Sequence, residues 1–427
     1  YEVRTEKRWR TWRGSGSCLL SPSVIPIMPL RVAIVGAAGT WGRYYLGAYD
    51  RSPDCEVVAL VDQATERVNV LAQRFGIKQV YSNVEELLAV DVPDIVSAIV
   101  PVSQNFPVVA ACASAGVRVV SCEKPIDFSL AQADALVELC RAKGTLFACG
   151  QCYWALPLMK ECFEWVSAGN IGEVTAASIP GGLPNEVSGG GCPQLSAIRL
   201  LVGQEVSWVE GFTLPSPPTY EVLPDGLGAL PHEADCPAYG RLGFPNGAVC
   251  TIPPPATETG SDGGQRPRER APVLPYMSVT GTHGQLWLGN PPVLIQGVGA
   301  TAGPVYPPFL SRPQFDGVDM FDPTVARLVH AHRTGTEPLS SGHDYRQALE
   351  LAIALKLSAA QGHRRVELPL EDRGLRAFPH LYRLHGGDKA GWTAIGYAGP
   401  PSPEAGERFG FGPHIAQAQG DGERALL

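Results

Sequence analysis

Between residues 31 and 149, five short runs rich in β-branched residues (RVAIVG, CEVVALVD, DIVSAIVP, VRVVSC and TLFAC) alternate with helix-like segments. Strands separated by helices cannot pair as hairpins. They must lie parallel, with the helices crossing over the faces of the sheet. Runs that are apolar throughout, rather than alternately, need cover on both faces. Two of the intervening helices carry capping-box spacing at their starts, Ser82 with Glu85 and Ser129 with Gln132. This half of the chain is therefore predicted to form a doubly wound α/β domain over residues 28–150.

The first strand runs directly into GAAGTWGR, which places Gly36, Gly39 and Gly42, with Thr40 and Trp41 among them, at the junction of a strand and a helix. Backbone amides without side chains in the way can approach a pyrophosphate there, and the helix N-terminus adds partial positive charge. Asp62 ends the second strand 20 residues after Gly42. A carboxylate at that strand end accepts hydrogen bonds from ribose hydroxyls and repels a 2′-phosphate. Gln63, Ala64 and Thr65 follow in place of an arginine, so the expected cofactor is NAD rather than NADP. A glycine-rich turn without a ligand is the alternative.

Further along, VVSCEKPIDFS sets Glu123, Lys124 and Pro125 just past the C-terminal end of a strand, the edge at which open parallel sheets bind ligands. A lysine held there can hydrogen-bond a substrate oxygen and stabilise charge developing on it. The alternative is a surface lysine paired with Glu123.

After residue 150 the rhythm changes. A helix is expected near 156–168, followed by longer alternating runs (EVTAASI, VSWVEGFT, AYGRLGFPNGAVCTI and YMSVTGTHGQLWLG), with PNG and THG as turn signals. These predict a large, mostly antiparallel open sheet in a second α/β domain, 151–375, closed by a long apolar helix at 345–362. Proline-rich stretches at 214–236, 252–275 and 290–314 are expected as loops. Residues 1–27, basic and aperiodic, are expected as an upstream or disordered extension, and 376–427 as a Gly/Pro-rich tail.

A formal charge of −8 argues against a nucleic-acid partner. No run of 18 apolar residues is present, so no membrane span is expected. The 11 cysteines show no scaffold rhythm, which favours reduced thiols and a cytoplasmic setting. Cys149 and Cys152 have redox-motif spacing but follow a strand, not a helix N-terminus that would activate a thiol; a buried thiol and a loop thiol are expected. No set of residues has metal-ligand spacing.

GAAGTWG, Asp62, the strand IVSAIVPVS ending at Pro101, CEKP, GQCYWALP, GNIGEV, GTHGQLWL and the closing GHDYRQALELAIALKLSAAQGHRRVELP occur in an order that resembles the Gfo/Idh/MocA family (glucose–fructose oxidoreductase, inositol dehydrogenase, rhizopine catabolism). The resemblance covers about 31–370. It implies an N-terminal Rossmann domain, a nicotinamide cofactor, oxidation or reduction of sugars and polyols, and homo-oligomers formed through the C-terminal sheet. Gly36, Gly39, Thr40, Trp41, Gly42, Asp62, Pro101, Glu123 and Lys124 are the implied cofactor contacts, and Lys124 matches the family's active-site lysine.

Many members carry a helix with H-x-x-D, whose histidine moves a proton. Here GGGCPQLSAIRLLVG has Pro193 and Ser196 at those places, and the histidine that often follows the proline-ended strand is missing, with Asn105 nearby. Tyr153 is the remaining candidate proton carrier, with aromatic packing as its alternative role. His232 and Asp235 recreate the H-x-x-D spacing in a loop, while His330 and His332 fit a solvated helix face. Three functions follow: an oxidoreductase acting on a small hydroxylated or carbonyl substrate, an NAD-binding sensor without turnover, and NAD-dependent glycoside cleavage or epimerisation.

Overall fold

The computed structural model describes residues 28–150, 158–183, 186–215, 230, 232–254, 257–259, 265–267, 276–289, 291–311 and 320–385. The expected extension 1–27 lies outside them, as do Cys152, Tyr153 and the tail from 386.

In the first half, the elements are β1 (Leu30–Val35), α1 (Thr40–Arg51), β2 (Cys55–Val61), α2 (Thr65–Phe75), β3 (Gln79–Tyr81), α3 (Val84–Val90), β4 (Ile95–Ala98), α4 (Val102–Ala115), β5 (Val119–Cys122), α5 (Leu130–Lys143) and β6 (Leu146–Cys149). They build one parallel sheet in the order β3-β2-β1-β4-β5-β6. From β1 the chain winds outward to β3, then returns to β4 on the other side. That reversal opens a crevice above the ends of β1 and β4, where such sheets bind ligands.

Successive β1 residues divide between two cores: Val32 and Ile34 pack with Tyr45, Leu46 and Tyr49 of α1, whereas Ala33 and Val35 face Val109 and Ala113 of α4. The strand β3, only three residues long, has no clear signal in the sequence. Ser129 caps α5 as expected, accepting the Gln132 amide. At α3 the cap is instead Asn83, which accepts the Glu86 amide at 2.9 Å, while Ser82 bonds the Glu86 side chain. The helix thus begins one residue later than the spacing suggested.

The second half contains α6 (Met159–Ser167), β7 (Val174–Ser178), α7 (Cys192–Val202), β8 (Trp208–Thr213), β9 (Ala238–Gly243), β10 (Val249–Ile252), β11 (Thr257–Thr259), β12 (Gln265–Pro267), β13 (Met277–Gly281), β14 (Gly284–Leu288), β15 (Val293–Gln296), β16 (Gly303–Val305), α8 (Phe321–Thr334), α9 (Gly342–Ala360), β17 (Val366–Glu367) and α10 (Leu381–His385). Nine of these strands form one sheet, β16-β15-β14-β13-β7-β10-β9-β8-β17, antiparallel except for the β7–β10 pair. Helices α7 and α9 cover one face: all of α7 except Leu200 is buried, and Gly211 of β8 is a glycine because a Cβ would meet the Leu355 backbone of α9. On the other face, Trp287 and Val293 are exposed.

Three features differ from the sequence reading. The stretch 290–314, expected as a loop, supplies β15 and β16; β16 is the edge strand, where Pro304 is tolerated. Helix α8 packs not on the second sheet but on α1, where Phe321 stacks on Tyr44 and meets Trp41 and Tyr45 edge-on, each at 5.2 Å. Residues 376–385, expected as the start of a Gly/Pro-rich tail, are packed against both domains. Arg376 bridges Ser129 and Phe378 bridges Ala234, and α10 follows. The two domains are also joined by Asp134 of α5, which pairs with Arg346 of α9 at 2.6 Å and with Arg373 at 2.7 Å.

Candidate active site

The glycine turn between β1 and α1 follows from close backbone approach. Gly36 has φ +83°, and a Cβ there would run into the Ile99 carbonyl at the end of β4. A Cβ at Gly42 would meet the Gly36 carbonyl, so this glycine lets α1 close onto the turn. Gly39 caps α1 with no side-chain bond, and no acidic residue occupies the first helical turn. The positive end of the helix is thus left without an anion from its own sequence, a donor set that fits a pyrophosphate. Trp41 uses its ring against Phe321, and Pro101 caps α4 just beyond β4. The side chain of Thr40 lies outside the described residues. Asp62 stands where β2 ends, its Oδ2 accepting the Ala38 amide and its Oδ1 the Ala64 amide, both at 2.8 Å. One carboxylate therefore ties the end of β2 to the glycine turn, at the position suited to a ribose diol.

Glu123 and Lys124 leave β5 on the same edge of the sheet. Tyr45 of α1 donates to Glu123 Oε1 at 3.0 Å. The amide of Asn105, on α4, donates to the carbonyls of Glu123 (3.2 Å), Pro125 (2.9 Å) and Ile126 (3.2 Å). Asn105 thus braces the CEKP turn and does not stand in for a missing histidine. Lys124 Nζ crosses to the second domain and donates to the Gly189 carbonyl at 3.1 Å. Burial, then the nearby Arg383, push its ammonium down to about 8, against the pull of Cys192, Glu123 and Glu186.

The turn 186–191, which leads into α7, is held from behind. Asp235 accepts the amides of Val187 (3.0 Å), Ser188 (2.9 Å) and Gly189 (3.0 Å), and the Ser188 hydroxyl at 2.7 Å. Buried Lys356 of α9 lies 3.8 Å from the same carboxylate. Asp235 is therefore a brace rather than half of an acid–base pair. Its counterpart in the H-x-x-D spacing, His232, is buried, and burial lowers its basicity. Glu186, 2% exposed, accepts Arg383 Nε and the His380 amide, each at 2.6 Å. Burial pushes the Glu186 carboxyl up, but Arg383 and the His380 amide outweigh it and hold it below its ordinary value.

Pro193 and Ser196 are buried inside α7, and the Ser196 hydroxyl has no partner among the described residues. The helix is a core element whose glycine turn, rather than its body, meets Lys124. Burial raises the Cys192 thiol to about 12 and raises Cys149 well above its ordinary value, so neither is an activated nucleophile. His330 is exposed and His332 lies 3.6 Å from Asp94. No group of three or more potential metal ligands occurs among the described residues. Tyr153 lies outside the described residues. Arg383, Glu186 and the bracing role of Asp235 were missed from sequence, since they depend on residues far apart in the chain meeting at one turn. Glu186, three residues before Gly189 in NEVSGGG, was the only local hint.

Residues 30–151 match the model of the Gfo/Idh/MocA oxidoreductase family, NAD-binding Rossmann fold. The chain is 29% identical over 151 residues to the D-apiose dehydrogenase of Paraburkholderia graminis, covering 35% of this chain and 37% of that protein. It is 28% identical over 152 residues to the D-glucoside 3-dehydrogenase of Escherichia coli, covering 36% and 43%. The matched region thus spans about two fifths of these relatives. A solved oxidoreductase from Agrobacterium radiobacter, in complex with NAD+, L-tartaric acid and magnesium, superposes with a TM-score of 0.62 at 20% identity, over 80% of this chain and 98% of that one. The last comparison shows that both domains share their fold with that protein.

Proposed function

From the match of residues 30–151 to the Gfo/Idh/MocA oxidoreductase family, we propose that this chain is an NAD-dependent oxidoreductase acting on a sugar, polyol or similar small hydroxylated or carbonyl substrate. The observation that carries the proposal is Lys124. Its ammonium projects from the ligand-binding edge of the parallel sheet and is held by a carbonyl of the other domain, in the cleft where the two meet. Gly36, Gly39 and Gly42 hold the dinucleotide backbone, Asp62 takes the adenosine ribose, and Pro101, Glu123, Thr40 and Trp41 border it. When bound, the nicotinamide supplies the acceptor or donor of the hydride. Lys124 binds the substrate oxygen and polarises it, holding the negative charge that develops there. Tyr153 is the proposed proton carrier. Asn105, Asp235 and Glu186 keep the two turns that face each other across the cleft in place.

A preference for NAD over NADP follows from the fixed carboxylate of Asp62. The nine free cysteines among the described residues accord with a reducing, cytoplasmic setting. No helix among the described residues is long and apolar enough to cross a membrane. The uncovered face of the nine-stranded sheet is the proposed surface for a homo-oligomer. The test is a panel of sugars, polyols and hydroxy acids incubated with NAD and read as NADH formed. Turnover of at least one sugar-like compound is expected. Panel members that bind and shift the melting temperature without any turnover would replace the enzyme with an NAD-binding sensor.

A further inference from the structure

We infer that Arg383, returned to the cleft by the packed segment 376–385, is a positioning residue for Lys124: bonded to Glu186, it fixes the 186–191 turn whose Gly189 carbonyl takes the Lys124 ammonium. The inference rests on the reading of Lys124 as the group that meets the substrate oxygen.

The geometry is close on every side. Arg383 Nε donates to Glu186 Oε2 at 2.6 Å, and the amide of His380, one helical turn earlier, donates to Glu186 Oε1 at 2.6 Å. The C-terminal segment therefore occupies both oxygens of one buried carboxylate. A Cβ on Gly189 would lie 2.8 Å from Glu186 Oε2 and 2.9 Å from the Arg383 Cδ and Nε. The arginine stem thus packs directly on the residue whose carbonyl accepts Lys124 Nζ. Glu186 closes the same turn through its own carbonyl, which accepts the Gly190 amide at 2.9 Å and the Gly191 amide at 2.7 Å. The segment is docked by pairings at both domains: the Leu375 carbonyl accepts the Leu130 amide and the Phe128 carbonyl accepts the Ala377 amide on one side, while the Glu233 carbonyl accepts the Phe378 amide and the Phe378 carbonyl accepts the Asp235 amide on the other. Arg376 adds an ion pair to Glu233 at 2.9 Å. A segment anchored this way sets the position of Arg383 only when the two domains are in register.

Among the described residues, the charged and titratable groups facing Lys124 are Arg383 from the C-terminal segment, Glu186 in the turn, Cys192 at the start of α7 and Glu123 in its own turn. Asp235 lies behind the turn, facing Lys356. Arg383 is the one like charge in the first group. A cation so placed disfavours the ammonium form of Lys124, and Glu186 favours it. Removing either partner should therefore move Lys124 in opposite directions, which a purely structural strut would not do.

The experiment is competitive labelling of Lys124 with acetic anhydride across pH, quantified by mass spectrometry on the folded full-length chain. It reads the basicity of the amine without requiring turnover, so its failure is distinct from failure of the oxidoreductase reading. Arg383→Gln should raise the labelling midpoint by roughly one pH unit, Glu186→Gln should lower it, and Arg383→Lys should return it close to that of the unaltered protein. Should Arg383→Gln fail to fold, Glu186→Gln carries the test alone, with Arg383→Lys as the control expected to match the unaltered protein. A midpoint unchanged in Glu186→Gln, and in Arg383→Gln where it folds, whatever happens to the melting temperature, would overturn the inference.

Discussion

Asp62 has each carboxylate oxygen committed to one backbone amide, from Ala38 and from Ala64. That fixes a negative charge beside the glycine turn without depending on a flexible side-chain partner. Asp62→Ala removes the charge and the tie between β2 and the turn together. By calorimetry, the ratio of NADP to NAD dissociation constants should fall by about tenfold, mainly through weaker NAD binding. Equal affinities in the unaltered protein would refute this role. Lys124 makes a second prediction. Its folded value, about 8, lies below that of an exposed lysine, so the amine loses its proton within an accessible range. If the ammonium polarises a carbonyl, reduction should proceed below that value and decline as pH rises through it. A rate that climbs through the same range would assign Lys124 the opposite role, as a neutral base in the rate-limiting step.

The elements that build the site were legible to different extents. The five main strands of the first sheet stood out because each is a β-branched run between helices, and the glycine turn because its spacing has a backbone cause. The packing bears out that cause: the Cβ of any other residue at Gly36 or Gly42 would strike the Ile99 or Gly36 carbonyl. Gly42→Ala should therefore destabilise the domain by roughly 2–3 kcal/mol in chemical denaturation and weaken NAD binding. A change below about 0.5 kcal/mol would mean that the turn relaxes easily. Edge strand β16 was hidden by the proline within it, β15 by the two prolines that precede it, and β3 by its length. Asn83 outcompeted Ser82 as a cap although both carry suitable side chains, a choice that local spacing cannot decide. Helix α7 was recognisable as a helix. Its position inside the core was not, because helical periodicity reports an amphipathic face and α7 is buried almost all round.

For the whole molecule, the turn that meets Lys124 is an interdomain product. Lys124 comes from the first sheet, Gly189 and Glu186 from the approach to α7, Asp235 from the loop before β9, and Arg383 from beyond the second domain. No local pattern connects these segments, so sequence reading located the lysine but not what surrounds it. Among the described residues, the second sheet carries helices α7 and α9 on one face and leaves Trp287 and Val293 exposed on the other. If copies of the chain associate there, Trp287→Asp should reduce the mass measured by light scattering without lowering NAD affinity. An unchanged mass would place the interface elsewhere or leave none. The proposed activity is hydride transfer between a sugar-like carbon and NAD in this cleft, with Lys124 at the oxygen. Its most direct test uses whichever panel compound turns over, synthesised with deuterium on the reacting carbinol carbon. Deuterium should appear in NADH mole for mole, and Lys124→Ala should reduce that transfer at least a hundredfold while leaving NAD affinity nearly unchanged. NADH formed without the label, or label transfer undiminished in Lys124→Ala, would contradict it.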